Sequence, residues 1–210
     1  MNTFKLNLAN CKFTIPQNRG VVVLANYRSG STALCDILHQ ITGYPNLDEI
    51  FHARERHNQY QQYQEYLGSS QPAILKIMAD QVPPEQYHQQ LFGDNTIIGI
   101  YRRDRVAQIT SFAVAYTSNI WHSEHLDPVK NLNRSFNPRW LTHQARRLVT
   151  LYNEYHKCCD FMDLELCYET VRADLDQSRY EAMPKPANYT NLLDRCQQIL
   201  EENNIGLINE

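Results

Sequence analysis

The 210-residue sequence predicts an α/β fold, a single domain built on a doubly wound, mostly parallel sheet, and two observations carry that expectation. Short apolar runs recur along the chain: "GVVVLAN" (20–26), "TIIGIYR" (96–102) and "FMDLELCYE" (161–169) read as buried strands, with "AILKIM" (73–78) a weaker fourth. Between them lie segments whose apolar residues repeat at helical spacing. Strand and helix in alternation call for parallel βαβ units with helices on both faces of the sheet.

After the first strand, Leu34, Ile37, Leu38 and Ile41 fall on one helical face, and Gly43 supplies a stop. After the second strong strand, Val106, Ile109, Ala113, Tyr116 and Ile120 do the same, with Asp104 placed to cap. A longer helix from about Pro138 to Cys159 gathers Leu141, Leu148, Leu151, Tyr152 and Tyr155 on one side and leads into the last strand. Two stretches break the alternation. Residues 53–72, rich in Gln, Tyr and charge, carry a thin stripe of Tyr60, Tyr63 and Leu67 and read as a surface helix. Residues 122–140 have turn formers and little periodicity and read as a long loop, the kind that walls a substrate. No repeat, low-complexity block or interdomain linker interrupts the chain.

Composition narrows the partners. With 20 basic against 23 acidic residues and a net charge of -3, no global field favours nucleic acid or an anionic membrane, so any anion must be captured locally. The six cysteines form neither CxxC pairs nor a dense framework, and the start "MNTFKLNLANCKF" has no apolar signal-peptide core; reduced thiols and a cytoplasmic location are expected. No apolar stretch approaches the roughly 18 residues that span a bilayer. The eight histidines are scattered and form no zinc-ligand pattern, so no metal is expected.

Chemistry concentrates where the first strand meets its helix, at Arg28, Ser29, Gly30, Ser31 and Thr32. In an open parallel sheet ligands bind beyond the carboxyl ends of the strands, and the following helix turns its unpaired N–H groups to the same place. Small residues let the backbone curl around an anion, the hydroxyls can donate, and Arg28 adds a charged fork. The tract lacks the first glycine and the lysine of G-x-x-x-x-G-K-[ST], which disfavours Mg²⁺-ATP. The plain alternative is a strand-to-helix turn with serine caps. "IIGIYRRDRVAQITSF" (97–112) repeats the design, with Arg102 and Arg103 at the strand end and Ser111 two turns into the helix, a second anion socket suited to the other end of a doubly phosphorylated nucleoside. Its alternative is a solvated ion-pair cluster of Arg102, Arg103, Asp104 and Arg105.

Together "YRSGSTALCDIL" and "YRRDRVAQITSF" resemble the 5′-phosphosulfate loop and the 3′-phosphate motif of sulfotransferases that use 3′-phosphoadenosine-5′-phosphosulfate (PAPS). The likeness is closest to the bacterial trehalose 2-sulfotransferase group, through R-S-G-S-T, through R-x-D-x-V-x-Q-x-x-S-F and the following Trp121, and through "DEIF" (48–51), "LKIM" (75–78) and, more loosely, "LCYETV" (166–171). It covers most of residues 20–122 and thins afterwards. The resemblance implies a P-loop-like nucleotide-binding sulfotransferase fold, PAPS as sulfuryl donor, and a small-molecule or glycan acceptor. It also implies that Arg28 to Thr32 hold the 5′-phosphosulfate and that Ser111 with Arg102 or Arg103 holds the 3′-phosphate; the two spacings found in the family select one arginine each. Glu49 aligns with the group's general base, with His52 as the rival, and Lys76 matches a lysine that neutralises the sulfuryl or bridging oxygen. The chain departs from the family in Ile50, in lacking the Arg-Lys-Gly segment that covers the nucleotide in cytosolic animal enzymes, and in a deletion between 52 and 72; "MPKPANYTNL" (183–192) is the candidate to cover part of the nucleotide instead. Two other readings stand beside this one: a small-molecule kinase with an irregular phosphate loop, and a non-catalytic nucleotide-binding module. Neither the acceptor nor the oligomeric state is legible in the sequence.

Overall fold

A computed structural model describes residues 2–49, 71–81, 88–118, 137–176, 186, 188–203 and 205. Strand β3 (Gly20–Ala25) is buried at all six positions, so it has no polar face to turn to water and must lie inside a sheet covered on both sides. It pairs in parallel with β4 (Ile74–Met78) on one side and β5 (Asn95–Tyr101) on the other, and β5 pairs in parallel with β6 (Leu164–Cys167), giving the order β4-β3-β5-β6. The chain leaves β3 in one direction through helix α1 (Ser31–Thr42), then crosses back to β5 through α2 (His88–Gly93). The reversal puts a topological switch point between the carboxyl ends of β3 and β5.

Both faces carry helices, as the alternation requires. Val21, Val23 and Ala25 look toward α1 and helix α5 (Tyr168–Leu175), in a cluster with Leu34, Leu38, Val171 and Leu175. Val22 and Leu24 look the other way, toward Leu91 and Phe92 of α2 and Leu151 and Tyr155 of helix α4 (Pro138–Lys157). A third cluster joins α3 (Arg105–Ser118), α4 and α6 (Tyr189–Glu202) through Ile109, Ala113, Leu148, Cys196 and Ile199.

The expected capping residues hold, though Ile120, expected on the helix after β5, lies outside the described residues and the long helix ends at Lys157 rather than Cys159. Gly43 closes α1 in the left-handed region at φ 71°, its N–H donating to the His39 carbonyl. Asp104 accepts from the Ala107 N–H at 2.8 Å, and Asn137 caps α4 through the N–H groups of Arg139 and Trp140, so the tract 122–140 is already helical from Pro138. The weak fourth run, 73–78, is a fully buried strand. The run 161–169 needs correction. Phe161 ends a 3-10 turn (Cys159–Phe161), the strand is only Leu164–Cys167, and Tyr168 and Glu169 open a helix. Pairing begins late because the Asp163 carboxylate takes the Ile97 N–H at 2.8 Å, and it ends early because the chain turns to bring Glu169 against the β5–α3 turn.

Two elements appear that the sequence reading did not anticipate. Residues Thr3–Leu8 and Cys11–Pro16 pair as an antiparallel hairpin, β1–β2, joined by Ala9 and Asn10. It lays Leu6, Leu8 and Ile15 on the α1 face. Helix α6 buries Leu192, Cys196, Ile199 and Leu200, a stripe at i, i+4, i+7 and i+8. Its first residues come from tract 183–192, of which 183–185 and 187 lie outside the described residues, and Tyr189 donates to the Ala107 carbonyl at 3.4 Å. The surface-helix tract 53–72 lies outside the described residues but for 71 and 72, as do 122–136 and Trp121. Among the described residues no helix is long and apolar enough to cross a membrane.

Candidate functional site

The loop after β3 is shaped by two left-handed residues, Arg28 at φ 61° and Gly30 at φ 86°. Gly30 stands at the N-cap of α1 and offers no side chain to the first-turn N–H groups, which leaves that helix end without a side-chain cap. Space excludes any other residue here, because a Cβ on Gly30 would come within 2.7 Å of Tyr168 Cδ2 and 2.9 Å of Leu175 Cδ1. Ser29 is fully buried, and its hydroxyl donates to the Asn26 carbonyl at 2.7 Å. This corrects one expectation: the Ser29 hydroxyl closes the loop rather than pointing a proton at a ligand. Ser31 is buried at the start of α1, and the Thr32 hydroxyl accepts from Lys76 Nζ at 3.1 Å.

The two arginine turns converge at the switch point. Arg28 Nε donates to Ser111 Oγ at 3.2 Å, and Arg102 Nη1 reaches the Arg28 carbonyl at 3.5 Å. The sockets read as separate are thus one continuous surface, with the Arg28 side chain crossing from the first turn to the second. Burial, followed by the neighbouring Arg102 guanidinium, pushes the Arg28 pKa down, which marks a place where positive charge is crowded and an anion is welcome. Arg102 lies over the Tyr168 ring at 5.0 Å; its Nε is buried, makes no hydrogen bond and has Glu169 Oε1 at 3.6 Å. The Arg102 Nε is thus balanced by a carboxylate at ion-pair distance rather than by a hydrogen bond.

Arg103 does not join them. Its side chain is exposed. Nor do the four residues 102–105 form a solvated ion-pair cluster. Asp104 caps α3, and Arg105 lies over the Tyr152 ring at 3.1 Å. The backbone of this turn is already engaged, since Glu169 accepts from the N–H groups of Arg103 at 2.9 Å and Asp104 at 3.1 Å, and the Tyr152 hydroxyl accepts from Arg102 N–H at 3.2 Å. An anion here would meet side chains, not amides.

On the other flank of α1, Lys76 stands in the middle of β4 with 1 % of its surface exposed. Strand alternation turns Leu75 and Ile77 to the α4 face and Lys76 to the α1 face, beneath the helix N-terminus. The chain after α1 runs parallel to β4 as a short strip: Ile74 N–H donates to the Pro45 carbonyl, Leu47 N–H to the Ile74 carbonyl and Lys76 N–H to the Asp48 carbonyl. That strip delivers two carboxylates to the ammonium, Asp48 Oδ1 at 2.5 Å and Glu49 Oε1 at 3.2 Å. Burial alone would push the Lys76 pKa down, but the charges of Asp48 and Glu49 outweigh it and the net shift is upward. Glu49 Oε2 accepts from Gln81 Nε2 at 3.2 Å. His52, the rival base, lies outside the described residues.

Beyond Tyr27 a cavity opens between α3 and α4, walled by Tyr27, Phe112, Arg147 and Leu151. Tyr27 donates to Asp80, which also holds Arg147 at 2.6 Å; burial and then the Asp80 charge push the Tyr27 hydroxyl well up from its ordinary range. Phe112 and Tyr116 stack on Trp140 at 6.2 and 4.7 Å, extending an aromatic wall outward.

Asp48, Gln81, Tyr168, Glu169 and Asn26 were not assigned roles from the sequence. Asn26 is 1 % exposed, and neither atom of its side-chain amide has a partner. A polar residue closing an apolar strand is the signal it left; the others act through contacts between distant segments that no local pattern announces. Among the described residues no group of three or more His, Cys, Asp or Glu is placed to hold a metal. The class that fold and site define is therefore an α/β protein with a cluster of arginines at its switch point and an acid–lysine cluster beside it. No known family model matches the chain, and a search of characterised proteins finds no match.

Proposed function

We propose that the chain is a PAPS-dependent sulfotransferase that moves a sulfuryl group to a hydroxyl of a small molecule or carbohydrate. One observation carries the reading: Arg28, Arg102 and Ser111 meet at the switch point, while Lys76 and Glu49 meet at the N-terminus of the helix that the same loop opens. A nucleotide with phosphate at both ends needs separated positive charge, and a reacting group at one end needs a cation and a base beside it.

The residues fit that group. Arg102 and Ser111 would hold the 3′-phosphate; Gly30, Ser31 and Thr32, at the uncapped helix end, would hold the 5′-phosphosulfate. Arg28 lies between and serves both. When bound, PAPS supplies an activated sulfuryl group. Glu49 takes the proton of the acceptor hydroxyl as its oxygen bonds to sulfur, and the bond from sulfur to the bridging oxygen breaks, leaving adenosine 3′,5′-bisphosphate. Among the described residues Glu49 has two partners, and a carboxylate has about four acceptor positions, so it can still receive the acceptor hydroxyl. Lys76 would neutralise the charge that builds on the leaving oxygen. The cavity beyond Tyr27 is the candidate acceptor site.

Calorimetry with adenosine 3′,5′-bisphosphate tests the nucleotide half. Binding is expected, with Arg28→Ala and Arg102→Ala each weakening it by roughly tenfold or more, as for lost charged hydrogen bonds. Incubation with PAPS and a panel of glycosides and alcohols tests transfer: Glu49→Gln should abolish turnover and leave bisphosphate affinity near that of the parent. No binding at millimolar bisphosphate overturns the reading. Binding without transfer to any acceptor, insensitive to Glu49 and Lys76 changes, turns it into the binding-module reading.

A further inference from the structure

Among the described residues three side chains bond or pair with Lys76, Asp48, Glu49 and the Thr32 hydroxyl; the nearby Cys35 thiol, pushed up to about 12 chiefly by burial, bears on its charge. Of the two carboxylates Asp48 is the nearer, at 2.5 Å against 3.2 Å, although its side chain is 63 % exposed while that of Glu49 is 22 %. An exposed aspartate gains little by reaching inward unless the backbone aims it. The backbone does so at some cost: Asp48 sits at φ 52°, a left-handed conformation that aspartate tolerates better than most residues. It is held there by its own N–H, which donates to Asn46 Oδ1 at 3.0 Å, and by its carbonyl, which accepts the Lys76 N–H at 3.0 Å. The same residue is therefore tied to Lys76 at both main chain and side chain. Local backbone strain maintained by flanking hydrogen bonds often marks a functional constraint.

We infer that Asp48 is a positioning residue for Lys76: it holds the buried ammonium directed at the Thr32 end of α1, so that Glu49 is not its only counter-charge. The meaning of that charge for catalysis rests on the transfer reading above; the charge itself does not. With a single carboxylate left, burial would regain its hold on the lysine and draw its pKa down.

The test uses the full chain, labelled in its lysine side chains, with Lys76 assigned through Lys76→Met. Its Cε and Nζ resonances are followed from pH 6 to 11 in the parent and in Asp48→Asn, which keeps shape and backbone tolerance but not charge. In the parent, Lys76 should stay protonated beyond the ordinary lysine value of about 10.4; in Asp48→Asn it should titrate below that value. Bisphosphate affinity should be little changed by the substitution at pH 7 and weaker by on the order of tenfold at pH 9.5, the loss expected for one charged hydrogen bond. Asp48→Gly, which also relieves the positive φ, should behave alike and guards against a folding defect in the first variant. Identical Lys76 titration in parent and variants overturns the inference, as does an affinity loss of equal size at every pH. Failure of the parent to bind bisphosphate strikes the transfer reading alone, because the lysine titration then decides the inference separately.

Discussion

At Gly30 the backbone stands at φ 86° and the space for a Cβ is taken by Tyr168 and Leu175, whereas at Gly43 φ is 71° and nothing lies within 4 Å. The pair separates backbone strain from packing. Gly43→Ala should cost about 1 kcal/mol, the conformational penalty of an alanine in the left-handed region. Gly30→Ala should cost that and roughly 1–3 kcal/mol more, because the Tyr168 ring must move. Denaturant unfolding of both variants measures the difference; equal losses would show that the Tyr168 contact gives way freely. Of the residues singled out from the sequence, Arg28, Arg102 and Ser111 are brought into one group and Thr32, Lys76 and Glu49 into another, at the two ends of the loop that Gly30 bends. Arg28, Thr32, Arg102 and Ser111 were legible because each lies at a strand end or in the first turns of the helix after it, where a local pattern already fixes the neighbourhood; Lys76, mid-strand, and Glu49, beyond α1, came from the resemblance alone. Ser29 was legible as a loop residue but not as one whose hydroxyl turns inward, since direction within a turn depends on the whole path of the loop.

Helix α5 meets the β5–α3 turn through Glu169, whose carboxylate takes two backbone N–H groups and leans toward Arg102. Burial opposes ionisation of Glu169, but the hydrogen bonds from Arg103 and Asp104 prevail and hold its pKa below the ordinary glutamate value. The stability this contributes is therefore fully present above the unfolded-state value of about 4.3 and is lost as the pH falls through the lower folded value. Glu169→Gln should lower the Tm at neutral pH, and the gap to the parent should narrow only below about pH 4.3. Thermal melts from pH 7 to 3 check this, and a gap that is constant throughout would show that charge is not involved. This contact also explains why the run 161–169 was overread. Its apolar residues are β-like throughout, but strand length is decided by where the partner β5 ends and by the turn that Glu169 must reach. The β1–β2 hairpin was missed for a different reason. Its alternation of Phe4, Leu6 and Leu8 is present, but the Ala9–Asn10 turn has no glycine to announce it.

Across the whole molecule, one sheet has helices on both faces and a third apolar cluster binds α3, α4 and α6 outside them. That third cluster backs the helix that carries Ser111. Ile199, fully buried within it, should cost about 2–5 kcal/mol when changed to alanine, by the transfer and cavity cost of a core isoleucine. The denaturation midpoint should fall with unchanged slope if α6 unfolds with the rest. A reduced slope would mean that α6 detaches on its own.

The sequence by itself determined the strands at 20–26 and 96–102, the helices that follow them, and the arginine-rich turns between. All of these are set by apolar period and by capping residues that act within one or two turns of chain. Tertiary structure decided which arginine faces the cleft, the pairing of Lys76 with Asp48 and Glu49, the docking of Glu169 and the place of α6. Each of those depends on strand order and on contacts between residues tens of positions apart, where burial and charge act through space and leave no spacing to read.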